Sequence, residues 1–141
     1  MRSALLAVLL AACATTPVSA PPDRVAGCWI DRGQSRTLTL RWQRPDAAGI
    51  LRGDLLEYGV SGTIGRRARY ALAPQDQGWA FCVVSPAGEN SQCWQVAEGE
   101  SGSLEGGRVF IDRHRENLRI AVVGAPGRSF EVFEGQQDGC D

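Results

Sequence analysis

Without a short export segment, these 141 residues leave enough chain for one domain and too little for two. The 15 basic and 16 acidic residues give a formal charge of −1, which excludes the basic surface excess of a nucleic-acid-binding protein. Every basic residue is arginine; codon bias accounts for this before any selection for bidentate geometry does.

Residues 1–12 read as a targeting signal. Arg2 supplies the positive start and Ala4 to Ala12 is an unbroken apolar run, far short of the ~20 residues a membrane-spanning helix requires. Directly at its end, Leu10-Ala11-Ala12-Cys13 resembles the lipobox of bacterial lipoproteins. That resemblance implies cleavage before Cys13 and a diacylglycerol on its thiol. The competing reading, soluble periplasmic or secreted protein cut after Val18-Ser19-Ala20, would put Pro21 in the protease cleft. Residues 13–24 then form a lipidated Cys and a tether rich in Thr, Ser, Pro and Ala. Ala14 is not the Asp that holds many such lipoproteins at the inner membrane, which implies an outer-membrane lipoprotein facing the periplasm.

Five cysteines, Cys13, Cys28, Cys82, Cys93 and Cys140, are an awkward number in an oxidising compartment. Giving Cys13 to the lipid leaves four, which can pair as two disulfides.

Residues 25–141 form the domain, and no helical period runs through it. Thr37-Leu38-Thr39-Leu40-Arg41-Trp42 alternates, with Leu38, Leu40 and Trp42 on one face. After a turn at Pro45 to Gly49, further strands are predicted near 50–58, 63–72, 78–85, 91–97, 108–112, 117–123 and 128–134. About eight short strands at this spacing give a sandwich or barrel. Closure removes sheet edges, which favours a small antiparallel barrel. The segment 78–97 fixes a register. Pro86-Ala87-Gly88-Glu89 is a turn, and Cys82 and Cys93 are equidistant from its centre. A symmetric hairpin therefore pairs Cys82 with Cys93 on the outer face, with Phe81, Trp94, Trp79 and Val96 inside. The second bridge is then Cys28–Cys140, joining the first strand to the C-terminal tail.

Gly27-Cys28-Trp29 opens the first strand. It resembles the Gly-x-Trp signature of lipocalin-like (calycin) barrels, in which the Trp plugs one end. Trp42 to Ala48 and Phe110 to Ile120 extend the similarity to a bacterial lipocalin-like family with a Gly-Cys-Trp start, a Trp-x-x-Pro-x-Gly-Gly stretch and a late Phe-Glu-Asn-Pro-x-His-Asp-Phe-Pro-x-Arg-Ile segment. Trp42, Pro45, Phe110, His114, Arg119 and Ile120 are kept; Ala47 and Ala48 replace the glycines, and both late prolines and the Asp after the His are missing. The resemblance spans roughly residues 25–134 and implies a lipocalin-like barrel.

The site residues follow from the strand faces. His114, the only histidine, has Asp112 two residues away and Arg113, Arg115 and Glu116 beside it. No motif marks a nucleophile for it, so it reads as a rim or surface residue and no catalytic residue is assigned. One histidine without clustered cysteines or carboxylates gives no metal site, and no cofactor is implied. Arg66 falls on the face of Ile64, Ala68, Tyr70 and Leu72. A buried arginine there needs a carboxylate such as Glu57, an anionic ligand, or water at a barrel mouth. Trp29, Trp42, Trp79 and Trp94 read as core or plug, or as the lining of a pocket for an amphipathic molecule. Gly99 to Gly107 reads as a loop that lacks the Lys and helix of a phosphate cradle. The expectation is a non-enzymatic, lipid-anchored barrel holding a small apolar or amphipathic ligand near Arg66, Tyr70, Trp42, Trp79, Trp94 and His114. The rival is a protein-interaction module of the envelope, either an assembly factor or a hydrolase inhibitor, that uses loop 59–62 or 99–107. A third reading is an enzyme built on His114 and Asp112.

Overall fold

The structure is a computed structural model that describes residues 23–97, 107–124 and 129–140. The signal segment, Cys13, residues 14–22 and most of the Gly99–Gly107 run lie outside these. A 3-10 turn at Asp23–Val25 leads into nine strands: β1 (Gly27–Arg32), β2 (Arg36–Trp42), β3 (Leu51–Gly59), β4 (Ile64–Pro74), β5 (Trp79–Val84), β6 (Asn90–Val96), β7 (Arg108–His114), β8 (Asn117–Val123) and β9 (Ser129–Asp138). They close into one barrel whose strand order is the chain order, with β9 returning to β1. The strand Gly27–Arg32 stands ahead of the eight read from residue 37 onward. β9 runs on to Asp138, past the predicted limit of 134. Its last residues are polar, and they are strand because they pair with Ile30, Trp29 and Cys28.

Alternation along each strand sorts the core. In β2, Leu38, Leu40 and Trp42 are buried and Arg41 is exposed. Across the barrel Leu40, Leu51, Leu55, Leu72, Phe81, Val109, Leu118 and Ile120 are fully buried. Each such side chain contributes about 1.5–3 kcal/mol relative to exposure. Turn chemistry closes the hairpins. Between β5 and β6, the Ser85 N–H donates to the Glu89 carbonyl at 2.8 Å and the Gly88 N–H to the Ser85 carbonyl at 2.9 Å. Gly88 sits at φ 88°, where a glycine avoids the Cβ clash. Between β2 and β3, the Asp46 carboxylate accepts the N–H of Ala48 at 2.9 Å and of Ile50 at 3.0 Å, an Asx turn.

The β5–β6 register matches the sequence expectation: Phe81 faces Trp94 and Cys82 faces Cys93. Both disulfides are present, Cys82–Cys93 with Cα atoms 4.1 Å apart and Cys28–Cys140 with Cα atoms 5.3 Å apart. Cys93 is exposed but Cys82 is buried, because it lies between Cys93 and the buried Ala71 on the flanking strand. Two disulfides are the mark of an oxidising, exported environment. One junction departs from the antiparallel expectation. β6 and β7 pair in parallel, over Gln95↔Arg108 and Val96↔Val109. Parallel neighbours need a longer return than a hairpin allows, and the segment 97–107 separates these two.

Candidate functional site

The register makes the two ends of the barrel unlike. At one end Asp23–Val25 leads into β1, and Cys140 is tied back to Cys28. Trp29 closes this end from inside. It is 1% exposed, and its indole N–H donates to the Val25 carbonyl at 2.8 Å. The Arg113 guanidinium lies 5.3 Å from the Trp29 ring centroid, and its Nη2 donates to Gln137 Oε1 at 3.4 Å. Arg113 points inward because it continues the β7 row of Val109 and Ile111 and faces buried Leu118 across the sheet. Sequence reading left it as a flank of His114, although the period-2 row was there to be followed. Trp42, Trp79 and Val25 complete this end. Trp42 Nε1 is buried with no partner; its ring lies against Gly53, where a Cβ would sit 2.9 Å from it.

The opposite end is a rim. The inward rows of β2, β3 and β4 change there from apolar to charged. Arg36 follows outward from Leu38, Glu57 from Leu55, and Arg66 from Ala68. Glu57 is shared, with Arg36 Nη1 and Arg66 Nε each 3.8 Å from its Oε2. One carboxylate thus lies between two guanidiniums, and Asp31 shares the inward row of β1 with Trp29, opposite Leu38. The three exposed large hydrophobic side chains among the described residues, Val60, Ile64 and Phe130, also lie at this end, in the β3–β4 turn and at the starts of β4 and β9.

Arg66 therefore holds the predicted face and the predicted partner, Glu57, but it is not buried: its side chain is 53% exposed. The burial along β4 is graded, with Arg66 exposed, Ala68 half-buried, and Tyr70 and Leu72 buried. Below the arginine, an aromatic array runs from core to surface. Tyr70 stacks on Phe81 at 5.1 Å, Phe81 meets Trp94 at 6.4 Å, and Trp94 meets Phe130 edge-on at 6.1 Å. Phe81 is fully buried, Trp94 half-buried and Phe130 53% exposed. Burial holds the Tyr70 phenol above the ordinary tyrosine range, and the Arg66 charge partly offsets that. Phe130 was missed because a single aromatic at a strand start carries no period of its own.

His114 and Asp112 are exposed on the outer face of β7. They line one groove with Asn117, Arg119, Glu134 and Gln136. No Ser, Thr or Cys lines that groove. Among the described residues no group of three His, Cys, Asp or Glu side chains is placed to hold a metal ion. His114 is thus separated from the Arg66 rim and from the tryptophans, on the other side of the barrel wall. Trp42 and Trp79 belong to the closed end, where Trp42 also meets Phe81 at 6.4 Å; Arg66 belongs to the rim, with buried Tyr70 below it and half-buried Trp94 between Phe81 and Phe130. Compared with known protein families, curated proteins and solved structures, the chain has no match.

Proposed function

We propose that this protein is an exported, non-enzymatic barrel, anchored through a lipid on Cys13 at the outer membrane, that takes a small amphipathic ligand at its Arg66 end. The acidic head of the ligand sits between Arg36 and Arg66, and its apolar part lies on Tyr70, Trp94 and Phe130. The observation that carries this reading is the aromatic array, which runs unbroken from the core to an exposed rim where the guanidiniums of Arg36 and Arg66 converge on Glu57. An apolar surface with a few converging polar groups is the usual composition of a small-ligand site, and paired guanidiniums suit a carboxylate or phosphate. The lipobox supports the anchor and the lipocalin-like resemblance supports a barrel used for binding. The test is quenching of tryptophan fluorescence by decanoate and by lysophosphatidylglycerol, on the wild-type protein and on Arg66→Ala and Phe130→Ser. Saturable binding to the wild type, weakened in both variants, supports the proposal. No binding, or binding that both variants retain in full, refutes it.

Val60, 87% exposed, and Ile64, 41% exposed, favour a second reading in which the same rim docks an envelope protein. The discriminating result is recovery of one envelope protein by the wild type and its loss with Val60→Asp, while decanoate binding is absent from both.

A further inference from the structure

The outer face of β7, β8, β9 and β1 carries an ordered surface on the side of the barrel where His114 lies. It is a groove of about 770 Å³, and strand register arranges its side chains into two rows. The first row runs His114, Asn117, Gln136, Ile30, each directly opposite the next on the adjacent strand. The second, two residues further along each strand, runs Asp112, Arg119, Glu134. At ordinary strand spacing the first row is about 14 Å long, and the rows lie about 7 Å apart.

The chemistry of the rows narrows what fits. Arg119 is already committed, with Nε 3.2 Å from Glu131 and 3.9 Å from Glu134. Arg32, on the β1 side, reaches Asp138 at 3.8 Å. Both guanidiniums that line the groove already face carboxylates, and the further carboxylate of Asp112 disfavours a phosphate or a carboxylate ligand. Ile30 is the one half-exposed apolar side chain, so a greasy ligand finds no platform. What remains is a line of planar groups that both donate and accept: one imidazole and two amides, flanked by carboxylate acceptors. Among the described residues, the side chains of His114, Asn117, Gln136 and Asp112 make no hydrogen bond to protein. Hydroxyl groups, which also donate and accept, are their natural complement, and the ring repeat of an extended glycan is close to the spacing of the strands. The two disulfides are the mark of an exported domain, which would meet glycans outside the cytoplasm.

We infer that this groove is a second binding site, separate from the Arg66 rim, that takes a neutral, linear oligosaccharide across β7, β8, β9 and β1. The ligand lies along the His114–Asn117–Gln136 row, its hydroxyls bonded to the imidazole and the amides, with Asp112 and Glu134 accepting from one edge. The site does not depend on the rim and does not require His114 to act as a catalyst.

The test is an amide NMR titration of the oxidised protein with the β-1,4-linked tetramer of N-acetylglucosamine and with maltotetraose. Inorganic phosphate and decanoate are the class controls. The expected result is that at least one tetrasaccharide shifts the signals of His114, Asn117 and Gln136 saturably, that phosphate leaves them in place, and that decanoate moves only rim signals. Gln136→Ala, and the double variant Asn117→Ala/Gln136→Ala, remove exposed side chains and leave the core untouched. The double variant is expected to lower the affinity at least about tenfold, the loss of two ordinary hydrogen-bonding groups. The inference is overturned if neither tetrasaccharide shifts these signals, if the shifts fall at the rim instead, or if the double variant binds like the wild type.

Discussion

Removing the Cys28–Cys140 bridge is expected to cost more than removing Cys82–Cys93, by about 2 kcal/mol. The first closes a loop of 112 residues and the second a loop of 11. Loop entropy in the unfolded chain then gives about 4.8 kcal/mol for the long bridge and about 2.8 kcal/mol for the short one. The native state points the same way. Cys82 and Cys93 are held together by a hairpin with its own turn and five paired positions, whereas β1 meets β9 over three, so the barrel closure leans on its covalent tie. One effect runs the other way. Cys82 is buried, and truncating it to Ala adds a small cavity cost, up to about 1 kcal/mol, which narrows the gap without closing it. The assay is equilibrium urea unfolding of Cys28→Ala/Cys140→Ala against Cys82→Ala/Cys93→Ala. With a slope of about 1.5 kcal/mol per molar urea, the midpoints separate by about 1 M, the long-bridge variant unfolding first. The reasoning is refuted if the hairpin variant is the less stable of the two.

Other outcomes follow from single positions. Gly135→Ala places a Cβ 2.6 Å from the Ile30 carbonyl oxygen, a backbone atom that cannot swing away; differential scanning calorimetry should show a loss above the 1–3 kcal/mol usual for overpacking, and an unchanged melting temperature contradicts the close β1–β9 approach. Arg113→Met keeps the stem and removes the charge over Trp29, and should cost about 1 kcal/mol in urea. The Tyr70 phenol should ionise above the ordinary tyrosine range in an alkaline absorbance titration, and higher still in Arg66→Ala, because burial raises it and Arg66 lowers it. The buried neutral phenol is the favoured form, so this group's share of stability is present below the unfolded phenol's ionisation and is lost as pH rises through the folded one. Asp46 behaves in the opposite sense. Backbone donation from Ile50 holds its carboxyl below the ordinary range, with Ala48 and Arg52 adding to it and partial desolvation opposing. Its contribution is present above the unfolded carboxyl's ionisation and disappears as pH falls through the folded one, and Asp46→Asn should flatten that acid limb of a stability profile.

Where the sequence was legible, one physical rule did the sorting: residues two apart on a strand share a face. That rule placed Leu38, Leu40 and Trp42 inside, and it paired Cys82 with Cys93 through the symmetry of a turn. It also put Arg66 on the row of Tyr70, with Glu57 on the neighbouring strand as a candidate partner; that the two lie directly opposite is set by the β3–β4 register. It did not say how far along the barrel that row stays covered, because coverage depends on the length of strands elsewhere in the ring, and so Arg66 emerges at a mouth where a buried ion pair had been the alternative. Arg113 shows the same rule left unapplied: its row with Val109 and Ile111 is visible in the sequence, but there it figures only as a neighbour of His114. The groove beside His114 needed four strands in register, and no local pattern in one strand contains the other three. The polar end of β9 was equally silent, since Gln137 and Asp138 are strand by virtue of β1, and Gln136 by virtue of β1 and β8 together.

Intact-mass spectrometry of the protein recovered from its membrane, before and after reduction, tests the envelope-anchored barrel most directly. The expected mass lacks residues 1–12, carries a diacylglycerol on Cys13, and rises on reduction by the four hydrogens of two disulfides. A polypeptide that keeps its first twelve residues, or one whose mass is unchanged by reductant, contradicts it.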